Sequence, residues 1–253
     1  MRLRPLCAAA FLLIASDAFE CRAQAPDALK AAIAASKSSQ PQARKQAAED
    51  LGVTRDPVAV PALLKLLSDP HPYVRQAAAT ALVYVPAPSA VSPLIGALKD
   101  AAAPVRHAAM RTLGKMRAPA AVIPLAGVLS DPDPLARKTA ASVLGEIGAQ
   151  EAVPALISAL ADKDDGVRLQ AAASLAKCGD RSGLPAALAA LKSPDAAARL
   201  QAAETAGLVG DEKALAALEK AVVVEKDANT RGMMEFARAQ LKSRLKSPVK
   251  VKK

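Results

Sequence analysis

The sequence predicts an all-α fold, a right-handed superhelical solenoid of about seven stacked helix pairs. Three observations carry that prediction. The chain of 253 residues matches itself at a period of 31, within the range of 20 to 50 that marks repeat architectures. Within each period apolar residues recur at helical spacing, as in Val60, Leu63, Leu64 and Leu67. Hydrophobic residues make up 52% but aromatic ones only 2%, with no Trp, so Ala, Leu and Val must build the core, and such small side chains let stacked helices approach closely.

The register is read directly from the segments. Asp69 to Leu82 is DPHPYVRQAAATAL, Asp100 to Leu113 is DAAAPVRHAAMRTL, Asp131 to Leu144 is DPDPLARKTAASVL and Asp162 to Leu175 is DKDDGVRLQAAASL. Ser38 to Leu51 and Ser193 to Ala206 extend the series at either end without a gap. Arginine therefore stands at 44, 75, 106, 137, 168 and 199, and alanine at 47, 78, 109, 140, 171 and 202. A seventh copy follows with one extra residue, which places its arginine at Arg231.

Residues 1–25 have the form of a secretory signal: Arg2 and Arg4, then an apolar run from Leu6 to Ala15, then Ala23-Gln24-Ala25 or Ser16-Asp17-Ala18 as the cleavage site. The run is too short to span a bilayer, which takes roughly 18 to 20 apolar residues. An exported, periplasmic or secreted bacterial protein is expected, with no transmembrane segment in its mature part. Residues 26–245 form the solenoid and residues 246–253 a basic tail. Cys7 and Cys21 fall in or beside the signal, which leaves Cys178 alone in the body. No disulfide framework is expected, and Cys178 reads as a small buried hydrophobe because Val85, Met116, Ile147 and Val209 hold the equivalent positions.

Each unit reads as two short helices. The first follows a cap such as Asp56-Pro57, and Pro61, Pro154 and Pro185 inside it are expected to bend it. The second starts at Asp133-Pro134, Asp164-Asp165 or Asp195 and runs to a glycine, read as its end at Gly114, Gly145 and Gly207.

This pattern of paired helices, with an Asp and an Arg separated by five residues, resembles the HEAT repeats, specifically their short bacterial, phycobilisome-lyase-like version, over about residues 27–245. The resemblance implies a scaffold able to host several functions. It also prompts one enzymatic alternative, a bilin-lyase-like enzyme or enzyme subunit. HEAT-like deoxyhypusine hydroxylases bind iron through paired His-Glu dipeptides, and neither His71 nor His107 is followed by Glu.

Two sets of residues are candidates for defined roles. Taking Val74, Ala78, Ala81 and Leu82 as the buried stripe puts Arg75 on its flank, toward a neighbouring unit. Asp69, Asp100, Asp131 and Asp162 with Arg75, Arg106, Arg137, Arg168 and Arg199 then form a structural ladder, paired within or between units, rather than a catalytic row. Opposite the buried stripe, positions four apart are expected to line the concave face: Gln76, Thr80 and Tyr84; His107, Arg111 and Lys115; Lys138, Ser142 and Glu146; Leu169, Ala173 and Lys177; Leu200, Glu204 and Leu208. Leu169 and Leu200 either meet a partner there or are buried between neighbouring helices.

The two histidines have no second ligand-type residue at metal-binding spacing and read as exposed polar residues. Phosphate-binding and nucleophile-elbow fingerprints do not occur, so no catalytic residue, metal or cofactor is expected. Of the net charge of +10, residues 238–253 carry +7 and the rest of the mature chain +2, which argues against a nucleic-acid groove. The function expected is a non-enzymatic scaffold that binds a protein partner on the concave face. A binder of anionic polymer or surface through the basic tail is the further alternative.

Overall fold

The computed structural model describes residues 27–246, and these are helical with short connections. The expected signal over residues 1–25 and the tail beyond Lys246 lie outside them. Helix α1 covers 27–35. There follow α2 (Pro41–Thr54), α3 (Val60–Leu66), α4 (Pro72–Ala81), α5 (Val91–Ala97), α6 (Ala103–Lys115), α7 (Val122–Val128) and α8 (Pro134–Ile147). The series ends with α9 (Val153–Ala159), α10 (Asp165–Lys177), α11 (Leu184–Ala190), α12 (Ala196–Val209), α13 (Glu212–Val224) and α14 (Ala228–Lys246). These make seven pairs among the described residues, and no strand interrupts them. The molecule divides into two compact units, one up to Thr112 and one from Leu113 onward, with the division falling inside α6.

The period of 31 appears in the core residue by residue. The first helices bury Leu63, Leu94, Leu125, Leu156, Ala187 and Leu218 completely. The second helices bury Ala47, Ala78, Ala109, Ala140, Ala171 and Ala202 together with Leu51, Leu82, Leu113, Leu144 and Leu175. One Leu per first helix, replaced by Ala187 in α11, packs over a floor of alanines, and the lack of larger side chains on that floor sets the close stacking.

Two expectations about punctuation are corrected. Pro61, Pro154 and Pro185 do not bend a helix interior, because each stands in the first turn of its α-helix. There the missing N–H costs no internal hydrogen bond. In the second to fifth units the turn before that helix is a short 3₁₀ helix, as at Pro57–Ala59, which Asp56 caps by accepting a hydrogen bond from the Val58 N–H. Gly114, Gly145 and Gly207 do not end their helices either; all three lie inside them. A Cβ on Gly145 would sit 2.6 Å from Ser174 Cβ, and one on Gly207 3.1 Å from Ala237 Cβ. Glycine is there because successive second helices nearly touch.

The true helix-ending position lies three residues later and is left-handed at Arg55 (φ 53°), Arg117 (φ 47°), Gly148 (φ 71°) and Gly179 (φ 78°). In the two remaining copies the same position is Gly210, which is extended (φ −60°), and Pro86, whose ring forbids positive φ and before which α4 stops early at Ala81. The caps expected at Asp133, Asp164 and Asp195 are in place, accepting from the N–H groups of Leu135, Val167 and Ala197 respectively.

Candidate functional site

The repeated arginine links each unit to the next. Arg75 Nε and Nη2 donate to the two carboxylate oxygens of Asp100 at 2.7 and 2.8 Å, while Nη1 donates to the carbonyls of Asp69 and Pro70 in its own unit. Arg44 does the same with Asp69, and Arg137 with Asp162. Each carboxylate also accepts the N–H two residues on, His71 for Asp69, Ala102 for Asp100 and Asp164 for Asp162. The planar guanidinium thus spends its donors on the end of one first helix and on the cap of the next unit, fixing the angle between them. Of the alternatives left open by spacing, pairing is between units, 25 residues forward.

The ladder departs from its expected membership at the end. Position 193 is Ser, so Arg168 has no carboxylate ahead of it and turns to Asp165 in its own helix. Arg199 pairs with Glu225 at 2.6 and 2.8 Å, a partner missing from the sequence reading. Its spacing is 26 because the seventh unit has one extra residue. Arg106 and Arg231 keep the own-unit grip, on the carbonyls of Asp100 and Glu225. Asp131 accepts the Asp133 N–H in the same way as its counterparts. The electrostatics follow the geometry: Arg75 holds the Asp100 carboxyl below the ordinary carboxylate range, as Arg137 does for Asp162. Arg199, helped by the Asp227 N–H, lowers Glu225 to about 2. At Asp69 burial pushes upward, but the Arg44 and His71 hydrogen bonds outweigh it. Arg44, Arg75, Arg137 and Arg199 each bridge a carboxylate of the next repeat and a backbone carbonyl of their own.

The surface opposite the buried stripe is different in character. In the first compact unit, the one that ends at Thr112, Gln76 and Thr80 of α4 and Tyr84 just beyond it line a cleft of about 600 Å³, with Lys45, Glu49 and Val53 of α2 opposite. These are the same register positions one period earlier, and the six residues line this one cleft together. Val53 is 80% exposed, Tyr84 53% and Tyr73 39%. Tyr73 also borders the cleft, tilted against the ring of His71 at 5.6 Å between centroids. Its presence was not read from sequence, since it lies three residues before Gln76 rather than on the four-residue spacing. Lys45 and Glu49 pair along α2 at 3.3 Å.

The other predicted positions are distributed unevenly. Arg111, Lys115 and Lys138 are exposed, Ser142 is half-buried, and Lys115 pairs with Glu146 at 3.8 Å. His107 and His71 are both half-buried rather than exposed, His71 standing at the N-cap position of α4 beside Asp69 without a side-chain capping bond. Leu169 is corrected: it is buried and belongs to the core formed with Leu184, Leu191 and Met234, so it is not a surface for a partner. Leu200 is half-buried, while Leu208 remains exposed. Cys178 is buried, as read, and burial raises its thiol pKa. Of the cations assigned to the basic C-terminal stretch, Arg244 is no free charge, because it donates to the carbonyls of Leu208 and Gly210 and so caps the end of α12.

Among the described residues no group of three or more His, Cys, Asp or Glu could hold a metal ion, and no helix is long and apolar enough to cross a membrane. The fold is of the all-α class of helical-repeat solenoids. The sequence profile of HEAT repeats matches residues 28–109, 60–132, 92–176, 124–192 and 154–237, and the chain belongs to the HEAT-repeat family. No protein of curated function matches it significantly. Among solved structures, YibA of E. coli is similar at 22% identity and a TM-score of 0.65, covering 86% of this chain and 82% of that one. The CpcE–CpcF complex of phycocyanin lyase from Nostoc sp. PCC7120 is similar at 23% identity and a TM-score of 0.58, covering 84% and 94%. An engineered protein is similar at 20% identity and a TM-score of 0.54, covering 85% and 68%. At these identities the likeness concerns the fold.

Proposed function

We propose that this protein is a non-enzymatic scaffold that binds another protein across the face of its second helices, anchored in the α2–α4 cleft of the first unit. The observation that carries the reading is the position of the tyrosines. The whole chain has two, and both line this one cleft with part of their surface open to solvent. Tyrosine combines a large apolar area with a hydroxyl at low entropic cost, which is why it is enriched where interfaces concentrate their energy. Val53 adds an exposed apolar wall, and Gln76 and Thr80 add polar groups able to exchange hydrogen bonds with a partner backbone. Arg111, in the same compact unit as the cleft, supplies an exposed cation. Such charges steer an acidic partner more than they tighten it.

A photo-crosslinking amino acid at Thr80 tests the proposal, with Lys65 on α3 as the control position. The expected result is a protein captured through Thr80 and not through Lys65. With that protein purified, Tyr84→Ala or Tyr73→Ala should weaken affinity by about tenfold or more with the melting curve unchanged. Capture only through Lys65, or unchanged affinity in both variants, overturns the assignment. A pigment difference spectrum on mixing with bilin and an acceptor protein would support the lyase alternative in its place. We further propose that residues 1–25 direct export; a tagged full-length chain should fractionate outside the cytoplasm and a chain lacking them should not.

A further inference from the structure

The second compact unit, the one that begins at Leu113, carries another cleft, of about 790 Å³, on the side of its first helices between α11 and α13. It arises where the chain leaves its own period. The first helices α3, α5, α7, α9 and α11 have seven residues each, whereas α13 runs straight for 13 residues from its Asp211 cap with no proline in its first turn. The extra residue of the seventh unit follows it. The cleft floor is aliphatic, with Leu188 from α11, Leu191 just after it, and Ala217 and Ala221 from α13, while the exposed Val224 stands at the edge. Around it stand four exposed lysines, Lys192, Lys213, Lys220 and Lys226. None of the four makes an ion pair among the described residues. Glu225 also borders the cleft, but its carboxylate is closed off by Arg199 and the Asp227 N–H, so it does not neutralise the lysines.

We propose that this cleft binds a free, single-chain amphiphile, with its aliphatic chain on the floor and an anionic head group among the lysines. The volume is that of a small-molecule site, which is mostly apolar with a few convergent polar groups. The absence of aromatic side chains from its lining removes any platform for a planar ring system. Lysine ammoniums are point charges without the fork that reads phosphate bidentately, so carboxylate, sulfate and phosphate heads all suit them. Among the lining side chains the rim offers four ammonium groups, and its one carboxylate, Glu225, is taken up by Arg199 and the Asp227 N–H, which favours an anion over a neutral or cationic head. This site is independent of the tyrosine cleft, which lies in the other unit.

Calorimetric titration of the full-length protein with decanoate and decyl sulfate, kept below their micellar thresholds, tests it. Decyl maltoside is the uncharged control, acetate the chainless one, and phosphatidylglycerol vesicles the bilayer control. The two anionic amphiphiles should bind saturably at one per chain, and decyl maltoside and acetate about tenfold more weakly or not at all. Lys213→Gln with Lys220→Gln should weaken decanoate about tenfold, since exposed charge contacts contribute modestly each. Ala217→Phe should fill the floor and abolish binding, with circular dichroism confirming the fold. Equal affinity for decyl maltoside, wild-type affinity in the lysine variant, or binding only to vesicles would overturn the proposal.

Discussion

Replacing Asp100 by Ala removes the acceptor of three hydrogen bonds at once, those from Arg75 Nε, Arg75 Nη2 and the Ala102 N–H. The two charge-assisted bonds are worth about 1.5 kcal/mol each or more, and losing a cap adds about 1 kcal/mol. Because the paired side chains retain 18% and 12% of their exposure, water recovers part of that loss. The net cost should be about 3 kcal/mol, the lower end for breaking a buried pair. Arg75→Ala should cost a similar amount, since it also frees the carbonyls of Asp69 and Pro70. The double variant should cost less than the sum of the two singles, with a coupling of about 2 kcal/mol against at most about 1 for an exposed pair. Urea unfolding followed by far-ultraviolet circular dichroism on the four proteins measures it. Repeat arrays depart from all-or-none unfolding, so the transitions need to be fitted with coupled units. A coupling below about 0.5 kcal/mol would refute the view that the arginine–aspartate link holds consecutive units in register.

Acid should weaken the same ladder. The carboxyls of Asp100 and Asp162 lie below their ordinary 3.8, and Glu225 falls from 4.5 to about 2. A depressed folded value means the unfolded chain binds the proton more readily, so this stability is complete above about pH 4.5 and is lost as pH falls toward 2. Melting curves across that range should show the loss, and Glu225→Gln should flatten it. Arg117→Gly relieves a left-handed backbone that costs a non-glycine residue about 1 kcal/mol and should raise the melting temperature by a few degrees. Gly183→Ala restores the residue that the other units carry at this position, yet it should destabilise by about 1 to 3 kcal/mol, because the new Cβ would lie 2.4 Å from Ala172 Cα. Deleting residues 247–253 should leave the melting temperature unchanged while reducing adsorption to anionic vesicles at low salt, whereas Arg244→Ala should lower it by uncapping α12.

By itself the sequence determined whatever is local in the chain or strictly periodic. The 31-residue period located seven helix pairs, the alanines at 47, 78, 109, 140, 171 and 202 marked the buried floor, and Asp133, Asp164 and Asp195 marked helix starts. These follow from bonds that reach no further than a few residues, or from one face of one helix recurring at a fixed spacing. Distances between helices were decided only in the tertiary structure. Spacing allowed Arg75 to meet Asp69 or Asp100, and the stacking of units selected Asp100 for its carboxylate and Asp69 for its carbonyl. Gly145 looked like a helix end, and the approach of Ser174 made it a contact point instead. Leu169 and Leu208 both fell on the predicted surface strip, but Leu169 is covered within the core and Leu208 is left open. The cleft between α11 and α13 opens where the period breaks, and a repeat pattern carries no information about the space left by its own interruption.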